Sequence, residues 1–193
     1  KLQVDWEIFK DFNFMARYLT NVINQRNEAK VAWSDYDNNK GAYSIQRTFA
    51  KEENWEGMFT YNKDIVKGLN LTANLGGNLR YDYNDAISDE TSQLVLPGLF
   101  TISNGVPGTV SYSSYLGEKA VNSVYGSVSV GYQSMVYLDL TARNDWSSTL
   151  PENNRSYFYP SASISLLVNQ MIHLPSWINL AKLRSGYAQV GND

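Results

Sequence analysis

One histidine, His173, and no cysteine stand among the 193 residues, so the side chains that most often serve as base, thiolate nucleophile or metal ligand are nearly missing. A Ser-His-Asp triad or a His-based metal cluster has nothing to be assembled from around a lone imidazole in a turn, and disulfides and thiolate metal sites are excluded. No catalytic, cofactor-binding or metal-binding residue is assigned, and the chain is not expected to be an enzyme. What remains is the chemistry of recognition, carried by arginines, carboxylates and aromatic rings. Arg17, Arg80, Tyr137, Asp139, Arg143 and Arg184 fall on one side of an alternating pattern and are candidates to line a watery surface. Trp33, Trp146 and the stretch from Tyr112 to Tyr115 fall in polar connections, where rings can stack on sugars or pack on a partner. Trp33, Tyr112, Tyr115, Tyr137, Arg143 and Trp146 are therefore the candidate contact residues.

The balance of charge and apolarity narrows the setting in which those residues act. A net charge of −3 is spread without runs of one sign, so there is no electrostatic footprint for nucleic acid. With 43% hydrophobic residues the chain can bury apolar surface, yet no window of about 18 apolar residues offers a membrane-spanning helix. A membrane protein with this sequence has to cross with strands. The 14 tyrosines and 5 tryptophans fit residues that collect at a membrane interface, although β-sandwiches share that bias. The chain opens Lys1-Leu2-Gln3 without a basic or apolar leader, and reads as an internal piece of a longer protein.

The elements that must position the candidates are extended segments of period two. From Leu69 to Tyr81, Leu69, Leu71, Ala73, Leu75, Gly77, Leu79 and Tyr81 share one face and Asn70, Thr72, Asn74, Gly76, Asn78 and Arg80 the other. Soluble strands average about 5 to 6 residues and tilted membrane strands need roughly 9 to 11, so this length favours the membrane. The alternation recurs at 2–8, 12–18, 55–61, 123–132, 136–143 and 157–166, and more weakly at 182–187. Pro160 is expected near a strand end because it lacks an N–H, and Gly76-Gly77 is expected to bend its strand.

Short connections, near Lys10-Asp11, Asn62-Lys63-Asp64, Gln133-Ser134 and, somewhat longer, Asn169 to Trp177, alternate with long polar stretches near 24–52, 82–118 and 146–155. Outer-membrane barrels alternate short periplasmic turns with long outer loops in this way. Odd strands then descend and even strands ascend. Phe12, Tyr61, Tyr132 and Trp177 are placed at the periplasmic interface, and Trp55, Tyr81, Phe158 and Tyr187 at the outer one.

Three ordered motifs add a resemblance. Leu140 to Pro151 contains Arg143, Asp145, Ser147 and Ser148, Tyr159 to Ser163 reads Tyr-Pro-Ser-Ala-Ser, and Leu183 to Asn192 reads Leu-Arg-Ser-Gly-Tyr-Ala-Gln-Val-Gly-Asn. In that order they resemble the Arg-x-Asp-x-Ser-Ser hairpin loop and the two strands that follow it in the SusC/RagA family of TonB-linked outer-membrane proteins. Many members carry Gly where Trp146 stands and a Trp near Val168, so the loop tip and the next turn differ in detail. The resemblance implies an all-β fold: an antiparallel transmembrane barrel of roughly 22 strands, of which residues 1–193 form about eight, with the plug and TonB box elsewhere. It also implies TonB-dependent import of nutrient oligomers, glycans or peptides, with a SusD-like lipoprotein lid and the TonB, ExbB and ExbD machinery as partners. The rest of the barrel and outer-membrane lipid are expected neighbours, and no cofactor is implied. A TonB-dependent siderophore or vitamin receptor, a self-contained small barrel and a soluble glycan-binding sandwich remain open at this point.

Overall fold

The computed structural model describes residues 1–34, 36, 40–175 and 177–190. Its strands are β1 (Leu2–Phe9), β2 (Phe12–Trp33), β3 (Lys40–Val66), β4 (Leu69–Thr91), β5 (Val110–Tyr132), β6 (Val136–Ser147), β7 (Ser156–Leu167) and β8 (Lys182–Ala188), with one helical turn, α1 (Val168–Met171), before the last. All eight join one antiparallel sheet in chain order. No helix among the described residues is long and apolar enough to cross a membrane.

The register shows that the alternation seen in the sequence sorts the two faces. Directly paired residues of neighbouring strands point the same way. Leu2, Val4 and Trp6 pair with Tyr18, Ala16 and Phe14, while Gln3 and Glu7 pair with Arg17 and Asn13. Val128 and Val130 pair with Leu140 and Leu138, which in turn pair with Ala162 and Ile164. Ser129, Asp139 and Ser163 fall together on the opposite face. Among the described residues no second layer covers the apolar face: Leu2, Trp6, Leu75, Leu138 and Leu140 are exposed. A soluble sandwich would bury that face, so the sandwich expectation is set aside.

Contact clustering divides the chain into two compact units. The first holds Lys1–Leu19, Glu53–Arg80 and Lys119–Asp193, and its apolar face carries a run of stacked and tilted rings. Phe12 lies 4.8 Å from Phe9 and 5.7 Å from Phe59, Phe59 lies 4.8 Å from Phe14, and Tyr18 lies 4.2 Å from Trp55. The second unit holds Thr20–Glu52 and Tyr81–Glu118, and it has a small core of its own. Leu94, Tyr43 and Ile45 are buried there, with Trp33, Phe100 and Ile102 packed against them.

Two turns differ from the sequence expectation. The connection expected at Asn62-Lys63-Asp64 is strand, and the chain reverses instead at Lys67-Gly68. Gly68 has φ +83°, a left-handed conformation that a glycine adopts without steric penalty. Asn62 and Asp64 are held in the ladder region, both accepting from the Asn70 side chain at 3.2 and 3.1 Å. The hairpin after β5 spans residues 133–135 rather than two residues, with Gln133 and Ser134 both at positive φ.

Pro160 also departs from expectation, lying inside β7 opposite Ala142. Its carbonyl accepts from Gln189, and a strand residue's nitrogen points to the same side as its carbonyl. That nitrogen therefore faces β8 opposite Gln189, one position past the last paired residues, Ser161 and Ala188, so the paired register stops where the missing donor falls.

Candidate functional site

The polar face of the first unit is organised around Glu56. Trp55 and Gly57 lie on the apolar face, so the residue between them projects from the polar one, where its two carboxylate oxygens are used separately. Oε2 pairs with the Arg17 guanidinium and Oε1 accepts from the Tyr125 hydroxyl. The Arg143 guanidinium stands 5.9 Å from the Tyr125 ring, within cation–π range. Arg143 donates through Nε to Asp145 at 2.7 Å and through Nη2 to Ser123 at 3.0 Å. Four strands are thereby tied by one chain of charge-assisted contacts. These residues border a cleft of about 450 Å³ that also takes in Asn54, Asn78 and Arg80.

Gly76 explains why Tyr125 fits. A Cβ at that position would lie 2.8 Å from the tyrosine ring and 3.0 Å from the Gly57 carbonyl. The glycine is a niche for the ring, a role that packing rather than strand bending assigns to it. Lower on the same face, Thr60 donates to Asn74 at 2.8 Å and Asn74 to Ser127 at 3.0 Å. Replacing Glu56 by glutamine removes the charge that Arg17 faces while keeping the shape. Arg17 remains 39% exposed, so water compensates in part, and the expected loss is about 1–2 kcal/mol. Guanidinium unfolding of the full-length protein measures it, with Tyr125→Phe expected to lose less.

The candidate contact residues are not brought to one place. Arg143 and Tyr137 sit on the polar face of β6, Arg143 opposite Tyr125 and Tyr159, Tyr137 opposite Gly131 and Ser165. Trp146 is in β6 rather than in the connection after it, paired with Asn122 and Ser156, and so shares the face of Val128 and Leu140. Trp33 packs on the Tyr43, Ile45 and Leu94 core of the second unit, its indole nitrogen buried with no partner among the described residues. Tyr112 and Tyr115 are 72% and 60% exposed, and three positions apart in one strand they point to opposite sides. Of the other polar-face candidates, Arg17 and Arg80 border the Glu56 cleft. Glu56 and Tyr125 are not marked as contact candidates by the sequence, although parity with Trp55 and with the alternation at 123–132 gives their side, and Asp145 enters there only through the Arg-x-Asp-x-Ser-Ser motif.

Comparison with known proteins bears on this wall. No family model matches the chain. TonB-dependent receptor P3 of Formosa agariphila is 31% identical over 144 residues, 71% of this chain and 14% of that protein. TonB-dependent receptor P39 of the same organism is 24% identical over 181 residues, covering 91% and 17%. The solved RagAB peptide importer in its closed-closed state aligns over 99% of this chain and 22% of its own, with TM-score 0.84 and 22% identity. The chain is a segment of TonB-dependent receptor type with the fold of the RagAB importer. The RagAB peptide transporter aligns similarly, with TM-score 0.82 and 20% identity over 96% of this chain and 21% of its own.

In this receptor-type segment the resemblance motifs have structural roles. Ser148 fastens the β6–β7 connection to β5, its backbone donating to the Ala120 carbonyl and its hydroxyl accepting from the Ala120 N–H, both at 2.9 Å. Ser147, 3% exposed, shares a hydrogen bond of 2.8 Å with Thr149. Ser161 bonds Thr141 at 2.6 Å across the β6–β7 pair. Gly191 and Asn192 of the third motif lie outside the described residues. The curated relatives carry receptor names, and the segment spans about a sixth of their length.

Proposed function

We propose that the full receptor imports nutrient oligomers across the outer membrane of a Bacteroidetes-type Gram-negative bacterium, and that this segment supplies part of its wall. The observation carrying the proposal is the unpartnered apolar face, set by register along six strands or more and backed by a hydrogen-bonded polar face. Acyl chains suit the first and a watery lumen the second. The RagAB neighbours are titled a peptide transporter and importer, which favours peptides beside glycans as cargo. A SusD-like lipoprotein lid, and TonB with ExbB and ExbD acting on a plug outside this segment, are the partners the resemblance brings. The role is transport rather than catalysis.

Strand length supports an outer region beyond the bilayer. β3 has 27 residues, about 90 Å of extended chain, against a hydrocarbon core of about 30 Å. We place the stretches 24–52, 82–118 and 146–155 at or beyond the outer interface, where much of the first two continues as strand. There Glu28 accepts from Lys30 and is paired with Arg26, which holds its carboxyl below the usual carboxylate range. Tyr112 and Tyr115 are the candidates there for lid or cargo contact, and Trp146 suits an interfacial girdle. Deleting the receptor gene and growing cells on defined glycans and peptides as sole nutrient tests the import reading. Growth is expected to fail on one class alone, and unimpaired growth on every class overturns it.

A further inference from the structure

A second cleft opens on the polar face between the end of β7 and the start of β8, with a volume of about 490 Å³. The register builds it from below. Arg184 pairs with Ser165, Lys182 with Leu167 and Gly186 with Ser163, while Tyr137 pairs with Ser165 from the β6 side. Lys182 and Arg184, two positions apart on one strand, place their cationic stems about 7 Å apart on the same face. Gly186 keeps the floor open, since a Cβ there would stand 3.3 Å from the Ser163 Cβ.

The one carboxylate bordering this cleft is already committed. Asp139 accepts from Ser129 through Oδ1 at 2.5 Å and from Ser163 through Oδ2 at 3.4 Å. Lys182 and Arg184 have no ion-pair or hydrogen-bond partner among the described residues. The Ser165 hydroxyl, paired in register with Arg184, is buried without a partner. Two unpaired cations and an orphan hydroxyl thus face one opening. A group with two anionic oxygens would satisfy the guanidinium fork and the hydroxyl together.

We propose that this cleft binds a carboxylate carried by the imported solute, so that cargo with free acid groups is preferred over its neutral form. The proposal rests on the import reading and deepens it by naming a substrate class. It is tested by binding to the purified full-length receptor in detergent, using two matched probe pairs. One is a labelled tetra-alanine as free acid and as C-terminal amide; the other is a galacturonate trimer and its methyl ester. For at least one pair the free acid is expected to bind about tenfold tighter, the scale of one or two charge-assisted hydrogen bonds in a wet cleft. The Lys182→Gln/Arg184→Gln receptor is expected to bind both members of that pair within about twofold, and Arg184→Lys to keep part of the preference. A wild type without preference for either acid overturns the proposal, as does a preference that survives the double substitution. A double variant that loses unfolding stability but keeps the preference also overturns it, because the two cations then serve a carboxylate of the receptor itself. Binding is read without transport, so its failure is separate from failure of the growth test.

Discussion

Leu140→Arg is expected to destabilise the receptor by about 2–4 kcal/mol, the cost of a basic side chain near the middle of a barrel's lipid face. Thr141→Arg, one residue on, is expected to cost about 1 kcal/mol or less, mainly through the hydrogen bond it loses to Ser161. The contrast follows from the ladder: Leu140 stands between Val128 and Ala162, and Thr141 between Ser127 and Ser161. Exposure alone does not foretell it, since Leu140 is 44% exposed. The surrounding medium decides the sign. The fraction of heat-modifiable receptor in the outer membrane and the guanidinium midpoint in lipid vesicles both report the difference. A larger penalty at Thr141 would mean that the faces are reversed, and equal penalties that both meet the same medium.

Asn104→Ala is expected to release the segment between β4 and β5, at about 2–4 kcal/mol of local stability. Asn104 is 6% exposed, and its amide group makes three bonds to backbone. It donates to the carbonyls of Leu96 and Leu99 at 2.9 and 2.7 Å and accepts from the Leu96 N–H at 3.0 Å. Alanine leaves the Leu96 N–H and carbonyl without partners in a partly dry site, each worth about 1 kcal/mol or more, and takes one of two donors from the Leu99 carbonyl, which keeps the Thr101 N–H. Leu94, 1% exposed, sits just before this clamp, so the small core with Tyr43 and Trp33 should loosen with it. Hydrogen exchange across residues 92–109 and protease cleavage within them should both rise by more than tenfold, while the guanidinium midpoint of the barrel stays near its original value. Unchanged exchange there would show that the clamp holds nothing. Asn104→Asp, which keeps an acceptor for Leu96 but loses both donors, should fall between.

The sheet was readable because its information is local. Parity along Leu69 to Tyr81 names the face of every residue before any partner strand is known, and one bilayer thickness of alternation suffices. What the sequence hid depends on distance or on solvent. Arg26, Glu28 and Lys30 look like loop because charged residues dominate, yet a strand in water on both sides has no reason to alternate. Lys67-Gly68 was passed over for the more polar Asn62-Lys63-Asp64, although only the glycine suits a left-handed turn. Trp33, Tyr112, Tyr115 and Trp146 stood out as rings in polar stretches, and that criterion does not reveal that they lie in β2, β5 and β6. Glu56 gains its partners from β2 and β5, and Asn104 from backbone several residues away, neither of which leaves a mark in its own neighbourhood.

The proline at position 160 acts as a zipper stop. With no donor directed at β8, it caps the number of rungs those two strands share, whatever residue follows Ala188. Alanine at 160 would permit one more rung and a longer seam, which makes the missing proton a ruler for how high this part of the wall can be stitched.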